Sequence, residues 1–244
     1  MYQTVKEVVE YVKGQWDVTY SLSGMTALLH SMGYVYKKAK SEPGKADAKA
    51  QGAFLEEYEK LKENKGKDDP VYFMDATHPQ HNPVLAYGWI KVGKEQIIPS
   101  NTGRRRININ GVISLSDFLP IIRFDETINA ASTLALFEKI EAANEKAETI
   151  YILCDNAKYY RSKAVQGYLE TSKITLVFLP PYSPNLNLIE RYWKFFKKKV
   201  LYNRYFETFD EFKTTCEDFF DQSTSHVDEL CSLLTENFQI LGRT

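Results

Sequence analysis

Two short apolar runs, Val71-Tyr72-Phe73-Met74 and Tyr151-Ile152-Leu153-Cys154, each lead directly onto an aspartate, Asp75 and Asp155. Runs of this length, rich in aromatic and branched side chains and bounded by polar residues, read as buried strands. In an open α/β sheet the carboxyl end of a strand is where ligands bind. A lone aspartate after a strand commonly caps the next element or opens a turn. Two such aspartates in one sheet change the balance, because neighbouring strand ends hold both carboxylates within reach of a single hard cation, which takes oxygen ligands.

The surrounding pattern supports an α/β arrangement. A helix over 132–146 leads into a strand at 149–154, a helix at 162–171 leads into a strand at 174–179, and helices complete the chain. That βαβα order requires a parallel component in the sheet. Ahead of it, Ile107–Leu115 alternates as a strand, and 85–92 with 96–99 read as a hairpin turning at Gly93-Lys94. Near the start, Val5, Val8, Val9 and Val12 fall at helical spacing, as do Met25, Leu28, Leu29 and Met32 after a cap at Ser21 or Ser23. Gly33 stops the second helix, and Tyr34–Lys38 follow as a short strand or wing, which completes a helix-turn-helix silhouette. A lysine-rich linker over 37–49 and a charged connecting helix over 51–64 lead to the first strand.

With 43% apolar residues in 244 the chain can bury a core of one main domain plus a small appendage. Its formal net charge of −1 gives no global attraction to a polyanion, so any such contact must come from local basic patches. Cys154, Cys216 and Cys231 are odd in number and unpaired in pattern, which suits a reducing compartment. The absence of a signal-like segment and of a long uncharged apolar stretch leads to the expectation of a soluble, cytoplasmic protein.

Glu190 is a third candidate carboxylate. Asn187-Leu188-Ile189-Glu190 matches a capping box, in which Glu190 merely closes the helix start. The preceding Pro180-Pro181-Tyr182-Ser183-Pro184 argues the other way, since three prolines stiffen the loop and aim whatever follows it. Beyond Glu190, Ile189, Trp193, Phe196 and Val200 form an inward stripe, while Arg191, Lys194, Lys197, Lys198 and Lys199 occupy other faces. Arg104, Arg105 and Arg106 are either a solvated edge or a grip on backbone phosphate. Asp75, His78 and His81 share a zinc-like spacing but lack a fourth ligand, so His78 reads as a supporting residue beside Asp75, a DNA contact or loop surface. Asn156, Tyr159, Tyr160 and Arg161 follow the second aspartate to orient it or to touch DNA, Asn156 reading equally as a turn residue, and Trp89 and Trp193 read as core.

The blocks Phe73-Met74-Asp75-Ala76-Thr77-His78, Leu153-Cys154-Asp155-Asn156-Ala157 and Leu179-Pro180-Pro181-Tyr182-Ser183-Pro184-Asn185-Leu186-Asn187-Leu188-Ile189-Glu190 resemble the catalytic segments of mariner-superfamily DDE transposases, in the bacterial insertion-sequence branch. The 34 residues 156–189 between the second and third carboxylates match the spacing of that family's glutamate-ending triad. The resemblance covers residues 70–215, with a weaker match to the helix-turn-helix region.

The resemblance implies an RNase H-like (retroviral-integrase-like) α/β fold, a mixed five-stranded sheet flanked by helices, behind a small helix-turn-helix or winged-helix segment. The expected divisions are a DNA-binding segment at 1–40, a linker and helix at 41–69, a catalytic domain at 70–215 and a helical tail at 216–244. It further implies Asp75, Asp155 and Glu190 as catalytic residues and ligands of two Mg²⁺ ions, replaceable by Mn²⁺. The expected activity is cleavage at transposon ends and strand transfer into target DNA by a homodimer on double-stranded DNA, with Lys37, Lys38, Arg104, Arg105, Arg106, Arg191, Lys194, Lys197 and Lys198 as DNA contacts and His78 and Asn156 in support. Such chains usually carry two helix-turn-helix units, and residues 1–74 have room for one. An RNase H-like nuclease without strand transfer, or a transposase reduced to DNA binding, are the rival readings.

Overall fold

The computed structural model describes residues 2–39, 43–101 and 104–241, so part of the expected basic linker and Thr102-Gly103 lie outside the described residues. The chain divides into two compact units, Met1–Ser41 and Glu42–Thr244. In the first, helix α1 (Val5–Trp16) is capped by the Thr4 hydroxyl, which accepts from the Glu7 amide, and stops where Asp17 turns left-handed. Helix α2 (Leu22–Ser31) is capped in the same way by Ser21. Residues 34–39 form no strand.

The second unit is built on a five-stranded sheet. Its strands are β1 (Val71–Thr77), β2 (Asn108–Ser114), β3 (Pro120–Asp125), β4 (Ile150–Cys154) and β5 (Ile174–Phe178). They lie in the order β3-β2-β1-β4-β5. β1, β2 and β3 are antiparallel neighbours, whereas β4 and β5 run parallel to β1. This is the mixed sheet that the family resemblance implies. β3 carries no counterpart in the sequence reading: a six-residue run opening on proline is an unpromising strand, but at a sheet edge the missing amide is harmless. The hairpin anticipated over 85–99 turns at Gly93, with φ +74°, yet its arms form no strands. Trp89, expected in the core, is fully exposed, as are Tyr87 and Val92.

Strand alternation sorts the buried side chains into two cores. Tyr72 and Met74 of β1 join Val112, Ile150, Ile152 and the apolar face of α4 (Ala130–Ala143), with Val165 of α5 (Lys163–Leu169). Phe73 points the other way, into a core with α3 (Ala48–Asn64), α6 (Leu188–Val200), α7 (Phe209–Asp221) and α8 (Val227–Leu233). Phe54 and Tyr58 place the anticipated connecting helix inside that core, and Cys216, Leu230 and Leu234 place the tail there too. The boundary expected at 215 therefore falls within α7.

α6 carries the stripe Ile189, Trp193, Phe196 and Val200, all buried as the sequence indicated. It can lie this close to the sheet because the residue opposite Asp75 on β2 is Gly111. A Cβ there would stand 2.4 Å from the Ile122 Cδ1, 3.2 Å from the Ile121 carbonyl oxygen and 3.2 Å from Trp193 Cη2. The isoleucine methyl can swing aside, but the backbone and the buried indole cannot. Gly111→Ala is expected to destabilise the protein by about 2 kcal/mol through overpacking, read as a lower urea midpoint at unchanged slope.

Candidate active site

Asp75 lies within β1, two residues before its end, and shares the face of Phe73. The parallel pairing of Phe73 with Leu153 on β4, continued by two residues, brings Asp155 alongside Asp75 just past the end of β4. Asp155 Oδ1 accepts from the Ala157 amide at 3.0 Å, a turn that holds its remaining oxygen toward the cleft. Glu190 stands in the first turn of α6. No capping box forms there, because the Asn187 side chain has another use: its Nδ2 donates to the Met74 carbonyl oxygen at 2.9 Å. That buried bond fastens the start of α6 to the strand residue next to Asp75 and leaves the Glu190 carboxylate free. The three acids line one cleft of about 410 Å³, together with Asn156 and the proline-rich loop.

The electrostatics register this convergence. Burial, then the neighbouring charge of Glu190 and in smaller part that of Asp155, push the Asp75 carboxyl up to about 7. Glu190 opens to solvent on one side, yet its pKa is also raised, by desolvation first and by Asp155, with Lys197 countering. Lys197 counters at Asp75 as well, so it is the lysine of α6 that the structure brings to the carboxylates. Among the described residues no three acidic, histidine or cysteine side chains are already drawn close enough to ligate one ion. The donor set nonetheless fits a hard divalent cation: three carboxylates, no soft ligand, and a negative charge that the protein leaves largely uncompensated.

Asn156 has a definite task. Its Nδ2 donates to the Leu179 carbonyl oxygen at 2.7 Å and its Oδ1 accepts from Arg161 at 2.8 Å, which ties the end of β4 to the start of the proline-rich loop. His78 bonds Asn108 through Nδ1 and lies at the surface, while His81 is buried on the Phe206 carbonyl oxygen, so the two do not form a zinc site. Arg191 is not free for a ligand: its guanidinium donates to the backbone oxygens of Thr235 and Asn237 at 2.7 and 3.0 Å, strapping down the segment that follows α8. Arg105 stacks 3.8 Å over the Phe209 ring, and Arg104 and Arg106 are exposed. Lys194, Lys198, Lys37 and Lys38 are exposed as well. Sequence reading treated Asn187 as a possible cap and passed over Gln51, whose contact with Asn185 spans 134 residues; no local signal identifies such a pair.

Comparison with known proteins bears on this geometry. Residues 70–213 match the family described as DDE superfamily endonuclease, and residues 2–58 match the winged helix-turn helix family. The chain belongs to the DDE superfamily endonucleases. This DDE chain is 23% identical over 128 residues to an uncharacterised 39 kDa protein of insertion element IS630 from Shigella sonnei, covering 52% of the chain and 37% of that protein. It is 49% identical over 43 residues to the uncharacterised protein y4pE/y4sA of Sinorhizobium fredii, covering 18% and 32%. The chain thus spans about a third of the length of these curated relatives. Among solved structures, the pre-cleavage Mos1 transpososome superposes with a TM-score of 0.68 at 16% identity, covering 96% of the chain and 72% of Mos1. The Mos1 strand transfer complex gives 0.64 at 15% identity, covering 99% and 80%. These likenesses establish the fold, and no helix among the described residues is long and apolar enough to cross a membrane.

The raised Asp75 pKa sets a sign for stability. The unfolded carboxyl ionises near 3.8 and the folded one near 7, so the folded state holds the extra proton between those values and the protein loses stability as pH rises through that window. Asp75→Asn removes the titration. In cation-free buffer the variant is expected to match wild type near pH 4 and to exceed it by about 2 kcal/mol at pH 8, measured by urea unfolding at both values.

Proposed function

We propose that this protein is a transposase that cleaves DNA at the ends of a mobile element and transfers the freed 3′ hydroxyl to target DNA, with Asp75, Asp155 and Glu190 as its catalytic carboxylates. The observation that carries this reading is the convergence of three acids from two strands and one helix on a single cleft, beneath a helix whose polar face is basic. Three fixed carboxylates would hold two Mg²⁺ ions, or Mn²⁺ in their place, and ions so held activate an attacking oxygen and stabilise a leaving one in phosphoryl transfer.

The chain's own part is positioning. β1 and β4 fix Asp75 and Asp155 through the sheet ladder, and the Asn187 tether fixes Glu190 against β1. Lys197, whose charge is felt by Asp75 and Glu190, would hold a phosphate beside them, and Lys194, Lys198, Arg104 and Arg106 are exposed for backbone contacts further along a duplex. Lys37 and Lys38 extend the basic surface of the N-terminal unit. The match of residues 2–58 to a winged helix-turn helix family supports recognition of double-stranded terminal repeats by that unit. The likeness to a pre-cleavage Mos1 transpososome and to a Mos1 strand transfer complex supports the same class of substrate, transposon-end and target DNA; a homodimer on paired ends and a cytoplasmic site of action complete this reading.

The deciding experiment uses end-labelled DNA carrying the element's terminal repeats. Wild type is expected to nick and join it when Mg²⁺ or Mn²⁺ is added, and Asp155→Asn to lose both reactions by orders of magnitude with its circular dichroism unchanged. Nicking without joining would favour a plain nuclease, and binding without cleavage a DNA-binding role alone. Millimolar Mg²⁺ is also expected to raise the melting temperature of wild type at pH 8 by several degrees and to leave the Asp75→Asn, Asp155→Asn double variant unmoved, because a ligand stabilises only the state that binds it.

A further inference from the structure

Between β5 and α6 the chain runs through residues 179–187, and nearly every residue of that loop is buried or bonded. The Leu179 carbonyl accepts from Asn156, the Ser183 hydroxyl donates to the Pro181 carbonyl, and Asn187 holds the Met74 carbonyl. Asn185 Nδ2 donates both to Gln51 Oε1 at 2.9 Å and to the Gln239 carbonyl oxygen at 2.8 Å. Gln51, itself fully buried, exchanges two further hydrogen bonds with the backbone of Leu241. Among its exposed residues, Pro181, Tyr182 and Pro184, Tyr182 carries the one aromatic ring. Tyr182 is 55% exposed at the wall of the acidic cleft, and its backbone is left-handed at φ +59°.

A left-handed conformation is disfavoured for any residue with a β-carbon, and a bulky aromatic there is an outlier that persists only when its surroundings over-determine it. Glycine or asparagine would make the same turn at less cost. The five anchored neighbours supply the constraint, and what they achieve is to hold an aromatic ring in solvent beside the three carboxylates. The Lys45 ammonium lies 5.6 Å from the ring centroid, adding positive charge at the same spot. An exposed ring paired with a cation is the arrangement that receives nucleobases from a strand whose phosphates are held nearby.

We propose that Tyr182 is a stacking platform for a DNA base adjoining the scissile phosphate, so that it binds substrate and sets the register of the strand over Asp75, Asp155 and Glu190. This rests on the transposase reading above. It makes stability and function move in opposite directions at one residue.

The test compares Tyr182→Gly, Tyr182→Leu and Tyr182→Phe with wild type, by melting temperature and by affinity for terminal-repeat DNA without a catalytic metal. Tyr182→Gly is expected to melt no lower than wild type, since it relieves the backbone, and to bind DNA about tenfold more weakly. Tyr182→Leu should bind as weakly as the glycine variant, and Tyr182→Phe as tightly as wild type. An abasic nucleotide, placed in turn at each position around the scissile phosphate, should at one position cost wild type the same tenfold and cost Tyr182→Gly nothing more. Equal affinity of all four proteins, or losses that add at every abasic position, would overturn the proposal. Failure of wild type to nick in Mg²⁺ would instead strike the transposase reading, so the two failures are separable.

Discussion

The Asn187 side chain, donating to the Met74 carbonyl, is the contact on which the rest of the site depends. It joins the first turn of α6 to the strand residue preceding Asp75, across 113 positions of sequence. A buried amide N–H seeks an acceptor, so this bond fixes the approach of the helix to β1. Once it is made, Glu190 cannot be a capping residue and must face the two aspartates. The absent side chain at Gly111 is the steric counterpart of the same event, allowing Trp193 to settle on β2 opposite Asp75.

Bringing three acids together is unfavourable in itself, and the fold bears that cost locally. The elevated pKa of Asp75 expresses it directly: burial and a neighbouring carboxylate both disfavour its charge. Lys197 offsets part of the repulsion at both Asp75 and Glu190. The large aromatic core of Trp193, Phe196, Phe212 and Phe219 supplies the rigidity that keeps the acids from relaxing apart. The left-handed backbone of Tyr182 is held in the same way, by the anchoring of Asn156, Asn185 and Asn187 on either side of it.

Where sequence reading failed, the causes are physical. The 85–99 segment has strand-like alternation and a real turn at Gly93, but a strand exists only through a partner, and the sheet pairs only β1 through β5. Its exposed Tyr87 and Trp89 show that apolar character alone does not direct a residue inward. Pro120 hid β3 because its penalty applies inside a sheet and vanishes at an edge. Arg191 looked like a phosphate contact because helix periodicity reports the face of a residue and not what the chain later lays across it; the carbonyls of Thr235 and Asn237 claim it.

The sequence alone determined the two strands that end in carboxylates, the inward stripe of α6, the stiff proline loop and the likeness to a family whose spacing matches residues 156–189. These are legible because strand and helix periodicities, proline stiffness and motif spacing are local properties of the chain. Only the tertiary structure excluded the capping box for Glu190 and set it on the cleft with the two aspartates, singled out Lys197 among the five basic residues of α6, and turned Arg191, Asn185 and Gln51 into fasteners. Each of those outcomes depends on a partner more than forty residues away or on the direction of a side chain within one helical turn, and neither is written in the order of neighbours along the chain.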